Sequence, residues 1–321
     1  MISQGNLHKA QVGPTKIYSH NDADGIASAM IAKYVLPQAK VQLIDYGREH
    51  DALSVEQGLI FLDITPPPDR CQEFLDAGTI VLDHHKKREY IIRTFVDAGQ
   101  GAFADEDKDP GVSGALLAYQ HLLVPLNETL TQNQLNKVHE FARMVGIRDT
   151  WLKTHPAWSV AQATCRVLEF MPLDHWLDGM VPVIDHEQLN LGYTLVEKRM
   201  EEVKAAFKDA IVFTLDSGHQ VGFVISDYKL SSDLGEYARQ KGIGTFVTIT
   251  PNTKAGHLGA RVSLRSNELD VGAIAASQTG GGGHTSASGF HIDFGDLTTL
   301  TEMINPVKLV LDIIETNAVI Q

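Results

Sequence analysis

Three short apolar runs, Val41 to Asp45, Leu59 to Asp63 and Thr79 to Asp83, each close on an aspartate, and segments such as Asp69 to Ala77 with helical spacing lie between them. Lys16 to Ser19 reads as a further strand, and Gly25 to Leu36 as a helix that ends before Pro37. Strands that are apolar along their whole length and alternate with helices bury both of their faces. That pattern predicts an α/β fold, with an N-terminal parallel sheet covered by helices on both faces. Ligands of such sheets gather beyond the carboxyl ends of the strands, which is where these acidic residues fall.

Helical spacing resumes from Gly111 to His121 and from Leu130 to Arg148, delivering Asp149 at a helix end. The charged, proline-free stretch from Asn190 to Ala210 suits a linker helix. Strand-like runs then follow at Ile211 to Leu215, Gln220 to Ser226, Thr245 to Thr250 and Gly259 to Leu264, with a helix expected from Leu234 to Lys241. The expected organisation is a first domain over 1–189, a linker helix over 190–210 and a smaller α/β domain with a mixed sheet over 211–321.

Composition narrows the function class. A net charge of -13 argues against a protein that tracks along many phosphates, because such proteins present a basic stripe. The compact basic run Lys86-Lys87-Arg88 is either plain surface solvation or a lure for one anionic substrate. A short nucleotide is therefore the expected partner rather than a long polymer. No apolar stretch reaches the roughly 20 residues that cross a bilayer, so no membrane partner is expected. Cys71 and Cys165 are far apart and offer neither a disulfide framework nor a thiolate zinc site, and a cytoplasmic location follows as the default.

The chemistry-bearing residues cluster at the strand ends. Asp22 and Asp24 are alternate residues on one turn, so extended backbone there would turn both carboxylates to one side, with Gly25 permitting an unusual dihedral. Read alone, this segment is equally an Asp-rich helix cap. Asp63 sits in apolar surroundings, either as a strand-end turn cap or as a carboxylate bridging two cations. Asp83-His84-His85 supplies an acid and two imidazoles at one strand end. A carboxylate cluster without a cation would repel itself by roughly 1 to 4 kcal/mol per pair at about 4 Å, so a metal belongs to this reading. Gly280 to Gly283 reads either as a flexible linker or as a loop whose N–H groups approach an anion, with Arg265 and His284 as further donors. Ser113 is a helix cap, near the site or without a role in it.

In this order, His20-x-Asp22-x-Asp24-Gly25, Asp63, Asp83-His84-His85 and Asp149 resemble the DHH phosphoesterase superfamily. Arg265-Ser266 and Gly280-Gly281-Gly282-Gly283-His284-Thr285-Ser286-Ala287-Ser288-Gly289 resemble the GGGHxxAxG signature of its associated C-terminal domain, and the combination is similar to the nanoRNase and pAp-phosphatase-like branch. The resemblance implies a pair of divalent ions, usually Mn2+, with His20 and Asp22 on one, Asp24, His84 and Asp149 on the other, and Asp63 between them. It further implies that Asp83 braces a ligand or the sheet end, that His85 touches the scissile phosphate, and that Arg265, Ser266, Gly281, Gly282, Gly283 and His284 bind substrate. The implied activity is hydrolysis of pAp or of oligonucleotides about two to five residues long by activated water, the C-terminal domain gripping the far end of the substrate. A homodimer is among the assemblies implied. His20 lies two residues before Asp22 where many nanoRNases have four, a spacing similar to RecJ-like members. A RecJ-like single-strand exonuclease, a cyclic or linear dinucleotide phosphodiesterase and an inactive nucleotide sensor are the competing readings.

Overall fold

The apolar runs do form strands, and all five in the first half of the chain run the same way. The computed structural model describes residues 2, 16–105, 108–215, 217–254, 257–283, 285–296 and 306–317. Strands β1 (Lys16–His20), β2 (Lys40–Ile44), β3 (Leu59–Leu62), β4 (Ile80–Asp83) and β5 (Gly101–Phe103) form a parallel sheet in the order β2-β1-β3-β4-β5. Helices α1 (Ala23–Val35), α2 (Cys71–Asp76), α3 (Glu89–Asp97), α4 (Gly114–Ala118), α5 (Gln132–Asp149) and α6 (Trp158–Phe170) accompany it, followed by the long α7 (His186–Phe207).

Alternation along the strands divides the core in two. Ile17, Ile60, Leu62, Ile80 and Leu82 pack toward Ile31 of α1, Leu117 of α4 and Val145 of α5. Tyr18, Leu59, Phe61 and Val81 meet Phe74 of α2 and Ile91, Ile92 and Phe95 of α3 on the opposite face. Full burial stabilises each of these side chains by about 1.5–3 kcal/mol, which leaves no reason for a polar residue within the strands. The carboxylates appear only where the strands stop. The sheet grows outward in opposite directions from β1 and β3, and ligand crevices open at such a switch point.

The chain divides into two units, Met1–Val196 and Glu197–Gln321, and the division falls inside α7. In the second unit β6 (Ile211–Thr214), β7 (Gln220–Ile225), α8 (Ser231–Gln240), β8 (Thr245–Lys254), β9 (His257–Ser266), α9 (Val271–Ala276), β10 (Gly282–Gly283), β11 (Ala287–Asp296) and α10 (Pro306–Asn317) follow in order. Six strands pair as β10-β11-β9-β8-β7-β6, with β7 and β8 parallel and the other pairs antiparallel, so the sheet is mixed. Its apolar faces pack on Val271 and Ile274 of α9 with Val310 and Ile314 of α10, and on Leu234 of α8 with Val203 of α7. Among the described residues no helix is long and apolar enough to cross a membrane.

Candidate metal centre

Each acidic or histidine residue in the first unit is set by the element that delivers it. His20 ends β1, and Asp22 is the N-cap of α1, extended at φ -146 and accepting a hydrogen bond from Gly25 N at 2.9 Å. Asp24 lies one step into the helix and is buried. The two aspartates therefore diverge instead of sharing one extended face. Gly25 serves close approach, not an unusual dihedral: a Cβ there would stand 2.0 Å from the His20 carbonyl oxygen. Ser19 Oγ donates to the carbonyls of Gly25 at 2.7 Å and Leu62 at 3.2 Å, tying the start of α1 to the end of β3.

Asp63 continues β3 by donating its N–H to Leu82 O at 2.8 Å, then turns into the left-handed region at φ 59. A non-glycine residue held there costs about 1–2 kcal/mol. Trp151, also at φ 59, sits two residues past Asp149. Both strained residues thus adjoin the cluster.

Among the described residues eight side chains meet in three overlapping groups, each of whose ligand atoms lie within 4.8 Å of one another: His20, Asp22 and Asp63; Asp24, His84 and Asp149; and Asp63, Asp83, His84 and His85. Asp63 belongs to two of them. Its oxygens are 3.7 Å from His20 Nδ1, 3.2 Å from His84 Nε2 and 3.7 Å from His85 Nδ1. His84 Nε2 lies a further 3.6 Å from Asp24 and 3.3 Å from Asp149. Yet both oxygens of Asp63 and both ring nitrogens of His84 are buried without a hydrogen-bond partner. Buried polar atoms are rarely left so, and imidazoles with carboxylates are the donor set that divalent cations take. These residues fit a metal pair.

The electrostatics without metal have the same sense. Burial works against a charge on His20, but Asp22 at 2.7 Å together with Asp63 outweighs it and pushes the pKa up to about 12. His84 is raised well above its usual value, burial being overcome by Asp63, Asp149 and Asp24. Asp63, despite burial, is held below the carboxylate range by His20, His84 and His85. Burial and the charges of Asp63 and Asp149 push Asp24 well up. Burial, with Asp63 and Asp22 against the pull of His84, raises Asp149 to about 6, although its side chain keeps 30% of its surface. Protons here occupy the role of cations.

Asp83 does not face the cluster alone. One oxygen lies 2.7 Å from His85 Nδ1 and accepts from His85 N at 3.0 Å, which fixes the ring at the pocket edge with 31% of its side chain exposed. Burial opposes a charge on His85, but Asp83 prevails and lifts it to about 9.

Two backbone donors escaped the sequence reading. Asp24 accepts from Gly114 N at 2.6 Å and from Ala115 N at 2.8 Å, at the start of α4, whose N-cap Ser113 accepts from Leu116 N. A Cβ on Gly114 would stand 2.6 Å from Asp63 Cβ. The Ser113-Gly114 pair was the available signal, but nothing in it points to a residue ninety positions away.

The expected substrate-binding residues lie in the second unit. Arg265 is part-buried on β9 and donates to Ser232 Oγ and Leu264 O; burial, with Arg261 nearby, lowers its pKa to about 10. Ser266 Oγ is engaged with Thr245 Oγ1 at 2.7 Å and accepts from Glu268 N and Leu269 N. Gly281 and Gly283 allow tight internal packing, since added Cβ atoms would stand 2.0 Å from Ala275 O and 2.2 Å from Ser288 Cα, whereas Gly282 faces open space. His284 lies outside the described residues.

No family model matches the chain. It is 25% identical over 310 residues to oligoribonuclease NrnB of Bacillus subtilis (strain 168), covering 86% of this chain and 72% of that protein. Among solved structures, the DHH domain of a member of a family of ribosomal proteins superposes with a TM-score of 0.61 at 12% identity, over 97% of this chain and 88% of that one. RecJ of Thermus thermophilus in complex with Mn2+ gives 0.54 at 14% identity, over 98% of this chain and 54% of RecJ. With the parallel sheet, the mixed C-terminal sheet and the ordered strand-end acids and histidines, the similarity to NrnB agrees with the resemblance to the DHH phosphoesterase superfamily that the sequence motifs carry, and the DHH domain and RecJ share the fold.

Proposed function

We propose that the chain hydrolyses phosphoester bonds in short nucleotides, dinucleotides and pAp among them, with the aid of two divalent cations, Mn2+ foremost. The observation that carries this reading is Asp63 and His84 at the meeting of three ligand groups, buried and unpartnered. The name of the NrnB relative, an oligoribonuclease, supports the substrate class, and the Mn2+ in the RecJ structure supports the cation.

His20 and Asp22 would hold one ion, Asp24, His84 and Asp149 the other, with Asp63 shared between them. Ions held there supply activation of water and neutralisation of charge on the phosphoryl group. The remaining work falls to the chain. Asp83 fixes the His85 ring and keeps it charged at neutral pH, so its outer nitrogen can donate to a phosphate oxygen. The α4 N–H groups hold the Asp24 carboxylate in one orientation, and in the second unit Arg265 offers a planar fork for a substrate phosphate.

The test is product analysis with the full chain, with and without Mn2+, on pApA, pAp, short RNA and DNA, cyclic dinucleotides and a long single strand. Mononucleotide should be released from the short substrates, and neither chelator-treated protein nor His84→Ala should release any. Equal turnover of the long strand and the dinucleotide overturns the length preference. Tight nucleotide binding without product overturns the enzyme.

A further inference from the structure

We infer that Arg88 is a phosphate clamp at the mouth of this centre, gripping the phosphate that His85 and the acid cluster receive; the inference rests on the metal-centre reading above. The cluster holds five aspartates in a chain of net charge -13, so an anionic substrate needs a fixed cation on its approach. Arg88 stands at that position. It closes the single turn after His85 and donates its backbone N–H to His85 O at 2.9 Å, so one turn of chain links the two residues.

Its side chain is held in an unusual way. Arg70, Arg93, Arg143 and Arg166 in the same unit each pair with a glutamate three or four residues away. Among the described residues no carboxylate pairs with Arg88, which is half-buried; its guanidinium instead lies over the Tyr46 ring, 4.8 Å from the centroid. Stacking fixes the plane of a guanidinium while leaving its edge N–H donors unspent, which is the state a fork for phosphate oxygens requires.

The platform is itself braced. Tyr46 Oη accepts from Thr65 N at 3.4 Å, and its ring packs edge-on against buried His50, whose Nε2 lies 2.7 Å from Thr65 O. The Tyr46 and His20 rings are 6.1 Å apart, and Thr65 is two residues beyond Asp63. The stack therefore borders the group of His20, Asp22 and Asp63. Lys86 on the same turn differs, lying 4.0 Å from Asp105.

Calorimetric titration of the full chain tests this, first with Mn2+ and then, with Mn2+ present, with AMP and with inorganic phosphate. Arg88→Ala should weaken both phosphate probes by about tenfold or more, leave Mn2+ affinity within about twofold of the parent, and be rescued only in part by Arg88→Lys. Tyr46→Leu should weaken the probes less, and adding it to Arg88→Ala should cost nothing further, because the platform acts only through the guanidinium. Parental AMP and phosphate affinity in Arg88→Ala overturns the clamp, as does a loss of Mn2+ affinity in equal proportion. A parent chain that binds Mn2+ and AMP but forms no product removes the proposed hydrolysis and leaves the clamp standing; one that binds neither removes both.

Discussion

Gly114→Ala replaces a glycine at the start of a helix by the best helix former, a change that propensity alone would reward by about 1 kcal/mol. Here the sign should reverse. The new methyl would stand 2.6 Å from Asp63 Cβ, 2.9 Å from Ser28 Oγ and 3.1 Å from Asp24 Oδ2. Carbon atoms need roughly 3.5–4.0 Å, so the first contact falls short by about 1 Å. Asp63 cannot yield, because its backbone is bonded to β4 and its φ of 59 is already strained. α4 must retreat, lengthening the 2.6 and 2.8 Å bonds to Asp24. Overpacking costs about 1–3 kcal/mol, and even ordinary hydrogen bonds are worth about 0.5–1.5 kcal/mol each, so strain with partial loss of the two bonds exceeds the propensity gain. The net expectation is a loss of about 2 kcal/mol, or roughly 4–8 °C in Tm for a unit of this size, with Mn2+ binding about 10–100-fold weaker. Scanning calorimetry and Mn2+ titration measure the two effects. A variant that keeps the parental Tm and Mn2+ affinity would refute the clamp of α4 on Asp24.

Asp83→Asn leaves His85 in place but removes the charge that orients it and lifts its pKa, and kcat should fall by about 10–100-fold with Mn2+ binding little changed, as steady-state kinetics and titration would show. Arg265→Ala should raise KM for a dinucleotide about tenfold and lower kcat less, since its fork is assigned to binding a phosphate rather than to the reaction; an equal fall in kcat would contradict that role. In metal-free protein the histidine pKa values are raised, so their stabilisation is complete below about 6.5 and drains away as pH climbs through about 9 for His85 and toward about 12 for His20. Asp149, raised to about 6, acts in the same sense at lower pH. Chelator-treated protein should therefore lose Tm from about pH 6.5 to 9, and added Mn2+ should restore more Tm at pH 9 than at pH 6.5, which thermal unfolding across buffers would check.

The centre of the first sheet was legible because β3 and β4 are buried on both faces: Leu59-Ile60-Phe61-Leu62 and Ile80-Val81-Leu82 admit no polar residue until they end, so Asp63 and Asp83 mark the strand ends in the sequence itself. β5 was not legible, since Gly101-Ala102-Phe103 is three residues long without a β-branched side chain, and neither was β11, which follows the glycine run. The ligand-type residues that the structure gathers were visible by chemical type. What holds them was not, because the N–H groups of Gly114 and Ala115 have no side-chain signature and act across ninety residues, and Tyr46, Arg88 and His50 become a unit only through folding. The glycines at 281 and 283 also show a close approach, to Ala275 O and Ser288 Cα, that a run of four glycines does not specify in advance.

Residue identity also cannot assign charge within the cluster. Asp24 and Asp63 are both buried aspartates, yet one is driven up and the other down. Asp24 accepts two backbone N–H bonds, but those neutral donors do not offset burial beside Asp63 and Asp149. The Asp63 carboxylate accepts no hydrogen bond, but three imidazoles lie within 3.7 Å and hold it ionised. The position that two ions would share is thus the position where protonated histidines already concentrate positive charge, and bringing in a dication must expel those protons. Titration with Mn2+ in buffers of different ionisation enthalpy should accordingly show net proton release at neutral pH, the displaced protons coming from His20, His84 and Asp24. Metal uptake with no dependence on the buffer would mean that the ions settle elsewhere.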